Sequence, residues 1–121
     1  MVVASSDGDI GYVLAGVFPK RNDLNLSARY VKRGDLKAND WDGIVPDAQQ
    51  PHLINPEKGY IVCANNKITT DNAITEIGVG MSGTTRADRI AQLIEEKIAV
   101  GHKFTIEDMV AIQYDKHDGV A

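Results

Sequence analysis

One cysteine, Cys63, in 121 residues rules out an internal disulfide and a zinc site built from thiolates alone. It leaves the compartment open, because many exported bacterial proteins also lack disulfides. Aromatic residues are few, with one Trp, four Tyr and two Phe. A chain of this size buries only about two-thirds of its unfolded surface, so any core must come mainly from Ile, Val, Leu and Ala. Positive charge is also short: thirteen basic against seventeen acidic side chains leave a net charge of −4. That balance argues against a domain whose affinity comes from neutralising phosphates, and no nucleic-acid partner is expected. The longest nearly apolar stretches, Tyr12 to Phe18 and Tyr60 to Ala64, fall far below the ~20 residues that cross a bilayer. The N-terminus lacks the basic-then-apolar layout of a signal peptide, so neither a membrane partner nor a targeting signal is read.

What is present reads as one α+β domain. Val2 to Ser6, Asp7-Gly8 and Ile10 to Phe18 form the pattern of a β-hairpin around a tight primed turn. Pro19 is expected to end the pairing, and Lys20 to Asp42 is a polar, aperiodic excursion. A loop that long is uncommon in so short a domain and implies either function or packing against something outside the chain. Trp41 to Pro46 is a short apolar anchor, followed by a second irregular stretch from Asp47 to Lys58. Gly59 to Ala64 is continuously apolar, which fits a strand buried on both faces with Cys63 as an inert core thiol. Ala87, Ile90, Ala91, Ile94 and Ile98 lie on one face of a helix that Gly101 closes. Thr85 with Asp88 and Thr105 with Asp108 resemble capping boxes, the second opening a helix to about Tyr114.

Few constellations carry chemistry. Gly78-Val79-Gly80-Met81-Ser82-Gly83 matches G-x-G-x-x-G and precedes a helix. The stretch before it, Asn72 to Ile77, is polar on alternate positions, and no second strand with an acidic end follows. A glycine-rich loop is the simpler reading; the alternative is a small non-catalytic module binding a nucleotide or protein partner through Gly78 to Gly83. His52, His102 and His117 are isolated and read as surface or loop residues. Ser5 and Ser6 lack a nucleophile elbow and read as strand residues. Asn65-Asn66 is more pointed, because a carboxamide NH2 cannot ionise and is a good fixed donor to a developing oxyanion. On residue type alone, a turn-forming Asn pair remains the plainer reading.

Asp9-Ile10-Gly11-Tyr12-Val13 with Gly16 and Pro19 opens a series of blocks. Trp41-Asp42-Gly43-Ile44-Val45-Pro46, Asn55-Pro56, Gly59-Tyr60-Ile61-Val62, Ala64-Asn65-Asn66 and Arg86-Ala87-Asp88-Arg89-Ile90 follow, with the Phe104-Thr105 helix after them. In this order and spacing they resemble the penicillin acylase (penicillin amidase) family, from about residue 2 to 115. The resemblance implies an N-terminal-nucleophile hydrolase, an amidase cut from a precursor into two subunits, with an αββα sandwich fold. It implies that residues 1–121 are a single partial domain, an interior piece of the large subunit whose neighbours complete its sheet. The nucleophilic serine at the mature N-terminus is not in this chain, which starts Met1-Val2. Asn65 matches the family's oxyanion-hole asparagine, and Arg89 the arginine that keeps the active site in order, with Arg86 three residues away on the same helix. The resemblance implies no cofactor here; the calcium site of many members draws its ligands from other segments. It further implies the small subunit and the rest of the large subunit as partners, a small N-acyl amide as substrate, and an exported or periplasmic parent.

Overall fold

The computed structural model describes residues 1–21, 30–66, 83–117 and 119. In chain order they form strands β1 (Val2–Ala4), β2 (Ile10–Val13), β3 (Pro19–Arg21), β4 (Trp41–Ile44) and β5 (His52–Ile54), then helices α1 (Thr85–Ala99) and α2 (Ile106–Gln113). Two antiparallel sheets, β1-β2-β5 and β3-β4, and the two helices make it an α+β segment. Among the described residues, 1–61 belong to one compact unit and 62–66 with 83–117 and 119 to a second.

In the first unit the expected hairpin is present, with Val2 opposite Tyr12 and Ala4 opposite Ile10. Its turn differs from the two-residue primed form. Only Gly8 takes a positive φ, at 95°, and its N–H donates to the Ser5 carbonyl at 3.2 Å. Asp7 stays at negative φ, so the loop is of the three-residue kind with a left-handed glycine at its end. Ser5 is therefore a turn residue, its Oγ accepting from the backbone N–H groups of Asp7 and Asp9 at 3.3 and 3.2 Å.

The third strand of this sheet, β5, lies within the stretch expected to be irregular, with Tyr12 opposite Leu53. It is three residues long between prolines at 51 and 56, too short to establish a period. Asn55 fastens its end. With φ at 45°, Asn55 donates its backbone N–H to the Ile10 carbonyl at 2.9 Å and accepts from Ile10 N–H through Oδ1 at 2.9 Å. Its Nδ2 reaches Asp9 Oδ1 at 2.8 Å.

Pro19 does not end the pairing; it starts β3 and lies opposite Ile44 of β4. A proline at the first residue of a two-stranded ribbon needs no ladder donor, and its neighbour Phe18 extends the ladder by accepting from Val45 N–H at 2.8 Å. The Trp41 to Pro46 stretch is not an internal anchor either: every residue of β4 is exposed, Trp41 by 67%.

Gly59 to Ala64 is not a strand among the described residues. Tyr60, Ile61 and Val62 are half-buried and Cys63 is exposed, so the thiol is not core. Apolar continuity specifies a wish for burial, but a strand also needs a neighbour to accept and donate its ladder bonds.

In the second unit α1 matches most of its apolar face: Ala87 is buried, Ile90, Ala91 and Ile94 are half-buried, and Ile98 near its end is exposed. Its start is one residue earlier than expected. Thr84 is the N-cap with helical dihedrals and no side-chain cap bond, and Asp88 N–H donates to the Thr84 carbonyl at 2.8 Å. Thr85 is already inside the helix, where its hydroxyl cannot serve as the cap of a box with Asp88. The end follows expectation. Gly101, at φ 68°, donates to Ile98 O at 2.9 Å while His102 donates to Lys97 O at 3.0 Å, the paired bonds of a Schellman motif.

The capping box of α2 forms as read: Thr105 Oγ1 accepts from Asp108 N–H at 3.3 Å, and Asp108 Oδ2 accepts from Thr105 N–H at 2.8 Å. Asp108 also receives Lys97 Nζ at 2.7 Å and His102 Nε2 at 2.7 Å, tying the end of α1 to the start of α2. Burial is slight throughout. Among the described residues, Ala64 and Ala87 are the buried apolar side chains and Gln50 the buried polar one.

Two local substitutions test this account of the helices. Thr105→Ala removes one half of the box and is expected to lower the opening free energy of α2 by about 1 kcal/mol. Gly101→Ala forces a Cβ into a left-handed position and is expected to cost about 1 kcal/mol at the end of α1. Amide hydrogen exchange at Met109, Val110 and Ile98 reads both; unchanged protection would show that the caps contribute nothing.

Candidate active site

Asn65 sits where the apolar Tyr60 to Ala64 segment stops, and its backbone is left-handed at φ 59°. Asn tolerates that region better than other side chains with a Cβ, because its short amide can bond locally. Here the amide oxygen is engaged: Arg86 Nη2 donates to Asn65 Oδ1 at 2.7 Å and to the Ala64 carbonyl at 3.0 Å. Asn66 turns its own Oδ1 back to accept from Ala64 N–H at 2.9 Å. Three consecutive residues are thus fixed by bonds to one backbone position, Ala64, and one guanidinium nitrogen.

Arg86 stands in the first turn of α1, immediately before buried Ala87. Arg89, one turn on, faces different partners. Its Nε and Nη2 grip Asp115 Oδ2 and Oδ1 at 2.9 and 3.1 Å, and its Nη1 donates to Gln92 Oε1 at 3.0 Å. This fork-on-fork pair is the geometry that arginine makes and lysine cannot. The Arg89 hydrogen bonds hold the Asp115 carboxyl below the usual carboxylate range, and Asp115 in turn raises Arg89.

A cavity of about 280 Å³ opens beside these groups, lined in part by Arg86, Arg89, Leu93, Ile112, Asp115 and His117. Its polar lining includes two guanidinium ions, one carboxylate, an imidazole, the Thr85 hydroxyl and the Gln113 carboxamide, beside the aliphatic side chains of Ile90, Leu93 and Ile112. No hydrogen bond joins Asn65 to Arg89. Of the residues singled out in the sequence, Asn65 meets Arg86, and Arg89 meets Asp115.

Asp115 carried no signal in the sequence, since it begins what reads as a polar tail. Arg86 carried one: three residues before Arg89, it shares a helix face with it. His102 lies with Nε2 2.7 Å from Asp108 Oδ2 rather than isolated, and His52 Nδ1 lies 3.0 Å from the Gln50 carbonyl. Of Gly78 to Gly83, on which the alternative binding-module reading rests, all but Gly83 lie outside the described residues. Among the described residues no three His, Cys, Asp or Glu side chains gather where they could hold a metal ion, and no helix is long and apolar enough to cross a membrane.

The family model described as Penicillin amidase matches residues 1–121. The chain is similar to penicillin G acylase of Escherichia coli, 33% identical over 95 residues that cover 78% of the chain and 11% of that protein. It is similar to penicillin acylase 2 proenzyme of Pseudomonas sp. (strain SE83), 27% identical over 115 residues, 95% of the chain and 14% of that protein. An acyl-homoserine lactone acylase of Pseudomonas syringae pv. syringae is 25% identical over 115 residues, 95% of the chain and 13% of that protein. The chain spans 11–14% of the length of these relatives.

The carboxylates that brace the helices set a pH dependence. Asp108, held by Lys97, His102 and Thr105 N–H, and Asp115, held by Arg89, both titrate below their ordinary value of 3.8. A folded-state pKa below the unfolded one adds stability above the unfolded value and loses it as pH falls through the folded one. Stability of the helical unit is therefore expected to be flat from pH 7 to about 5 and to fall below about 4. Asp108→Asn with Asp115→Asn should lower the plateau and flatten that acid limb in circular dichroism melts; an acid limb of unchanged depth would assign it to other groups.

Proposed function

Because the chain belongs to the penicillin amidase family, we propose that it is an interior segment of the large subunit of an N-acyl amidase, and that Asn65 supplies an oxyanion donor there. The observation that supports this is the state of the Asn65 amide. Its oxygen is occupied by Arg86, which leaves the NH2 as the group it can present, and among the described residues that NH2 has no partner. A neutral donor held in place before the reaction is what a developing oxyanion needs.

In the full reaction a serine at the mature N-terminus, contributed by another part of the subunit, attacks the amide carbonyl. Its own α-amine takes the hydroxyl proton as the new C–O bond forms. The carbonyl oxygen becomes the oxyanion facing Asn65 Nδ2. Collapse expels the amine, which takes the proton, and leaves an acyl-enzyme that water hydrolyses by the same steps in reverse sense. The substrate is a small N-acyl amide. Arg89, gripping Asp115, keeps α1 in register with the residues after α2 and so keeps the Arg86 end of α1 in place.

The proposed setting is the αββα sandwich, in which strands of the remaining large subunit and the small subunit cover what is exposed here. Exposed Trp41, Ile44 and Ile54 are surfaces of this kind, since each costs free energy in water that a neighbouring layer recovers.

The test uses the acylase reconstituted with its remaining segments and a chromogenic acyl amide. Asn65→Ala is expected to lower kcat by about 10²–10³-fold. Asn65→Asp should lose as much, although it keeps, and strengthens by charge, the contact to Arg86. If both variants stay within about threefold of wild type, well under the usual effect of one oxyanion donor, the assignment of Asn65 is wrong.

A further inference from the structure

The geometry points to Asn66 as the positioning residue of the Asn65 turn, acting through its side-chain oxygen; the role rests on the oxyanion reading above and deepens it. Asn65 has a left-handed backbone, φ 59°, a conformation that costs any L residue with a Cβ some free energy. Left to itself, such a backbone relaxes toward negative φ, and the Cα–Cβ bond turns with it. The donor carried by that side chain then points somewhere else, whatever its own torsions allow.

Asn66 supplies the hold. Its Oδ1 accepts from Ala64 N–H at 2.9 Å, a bond that reaches back over Asn65 and closes a ring through the backbone of residues 64–66. Local bonds of this kind, from a short amide to a nearby backbone group, are how asparagine sets turns. Both soft dihedrals of Asn65 lie inside the ring, so a change in either carries the oxygen away from the N–H. That loss is costly, because Ala64 is buried and a buried backbone N–H stripped of its acceptor is left unsatisfied. The contacts made by Arg86 at the Ala64 carbonyl and the Asn65 oxygen close over φ of Asn65 but leave out the bond of ψ. Two adjacent asparagines are therefore used by opposite ends of the same functional group: Asn65 for its NH2, Asn66 for its oxygen.

The experiment measures kcat, KM, the melting temperature and amide hydrogen exchange at Ala64 in the reconstituted acylase. Asn66→Ala is expected to lower kcat about tenfold or more with KM within about threefold, the signature of an interaction that matters in the transition state. Exchange at Ala64 should quicken in the same variant, as its N–H loses its acceptor. Asn66→Asp and the neutral Asn66→Ser each keep an acceptor oxygen on a short stem and should recover most of the loss in kcat. In the Asn65→Ala background Asn66→Ala should add no more than about twofold, because a residue acting through another has nothing left to act on. Should Asn66→Ala fail to fold, Asn66→Leu, close to asparagine in shape but without an acceptor, is read against the same thresholds in both backgrounds.

If neither Asn66→Asp nor Asn66→Ser does better than Asn66→Ala, the oxygen is not what counts at this position and the inference is overturned. It is overturned equally if Asn66→Ala lowers kcat as much in the Asn65→Ala background as in wild type, or leaves exchange at Ala64 unchanged. Should Asn66→Ala stay within about threefold of wild type while Asn65→Ala loses its full factor, this inference falls and the oxyanion reading survives alone. An Asn65→Ala enzyme of undiminished kcat removes both.

Discussion

The contact of Arg86 with Asn65 is flanked by burial. Ala64, before Asn65, and Ala87, after Arg86, are the apolar side chains buried among the described residues, and both lie in the unit that holds α1. Joining two points twenty-one residues apart costs about 2.7 kcal/mol of chain entropy by the logarithmic rule, before its constant is added. A hydrogen bond from a charged donor returns about 1.5–3 kcal/mol net, and less where water competes, as it does at exposed Asn65. The bond alone therefore roughly breaks even. Small alanines on either side let the turn and the helix approach closely, and their burial supplies the remainder.

The same economy runs through the rest of the chain. Directed polar contacts do what an apolar core does elsewhere: Asn55 closes the sheet end by binding both backbone groups of Ile10, and Ser5 organises the hairpin turn. Asp108 gathers a lysine, a histidine and a backbone N–H, and Arg89 grips Asp115. Such bonds fix direction well and contribute modestly to stability. They leave apolar faces such as those of Ile54, Ile106 and Trp41 uncovered.

What the sequence reveals of this structure follows from how local each signal is. The α1 face, the Gly101 stop and the Thr105-Asp108 box are written within a few residues, and each is present. The start of α1 slips because Thr84 and Thr85 are both plausible caps, and the choice is made by backbone dihedrals that composition does not encode. The strand of His52 to Ile54 is invisible because three residues cannot show a period of two. Gly59 to Ala64 is misread for the opposite reason: its apolar run is clear, but pairing depends on a neighbour that the run itself cannot name. Asn65 is legible by residue type and by resemblance. The direction of its amide is not, because that depends on a partner twenty-one residues away.

Arg86 shows why the two kinds of information differ in what they reach. Resemblance carries over a position at a time, and it leads to Arg89, the arginine of the Ala-Asp-Arg-Ile block. Physical chemistry asks instead which group can hold a carboxamide by its oxygen, and only a donor without acceptors answers that unambiguously. On one helical turn this chain carries two such groups. One pairs with Asp115 and braces the helices; the other donates to the amide oxygen of Asn65. Arg89 directs Nε and Nη2 to Asp115 and Nη1 to Gln92, whereas Arg86 directs Nη2 alone to both the Asn65 amide oxygen and the Ala64 carbonyl, so two arginines three residues apart serve two different sets of acceptors.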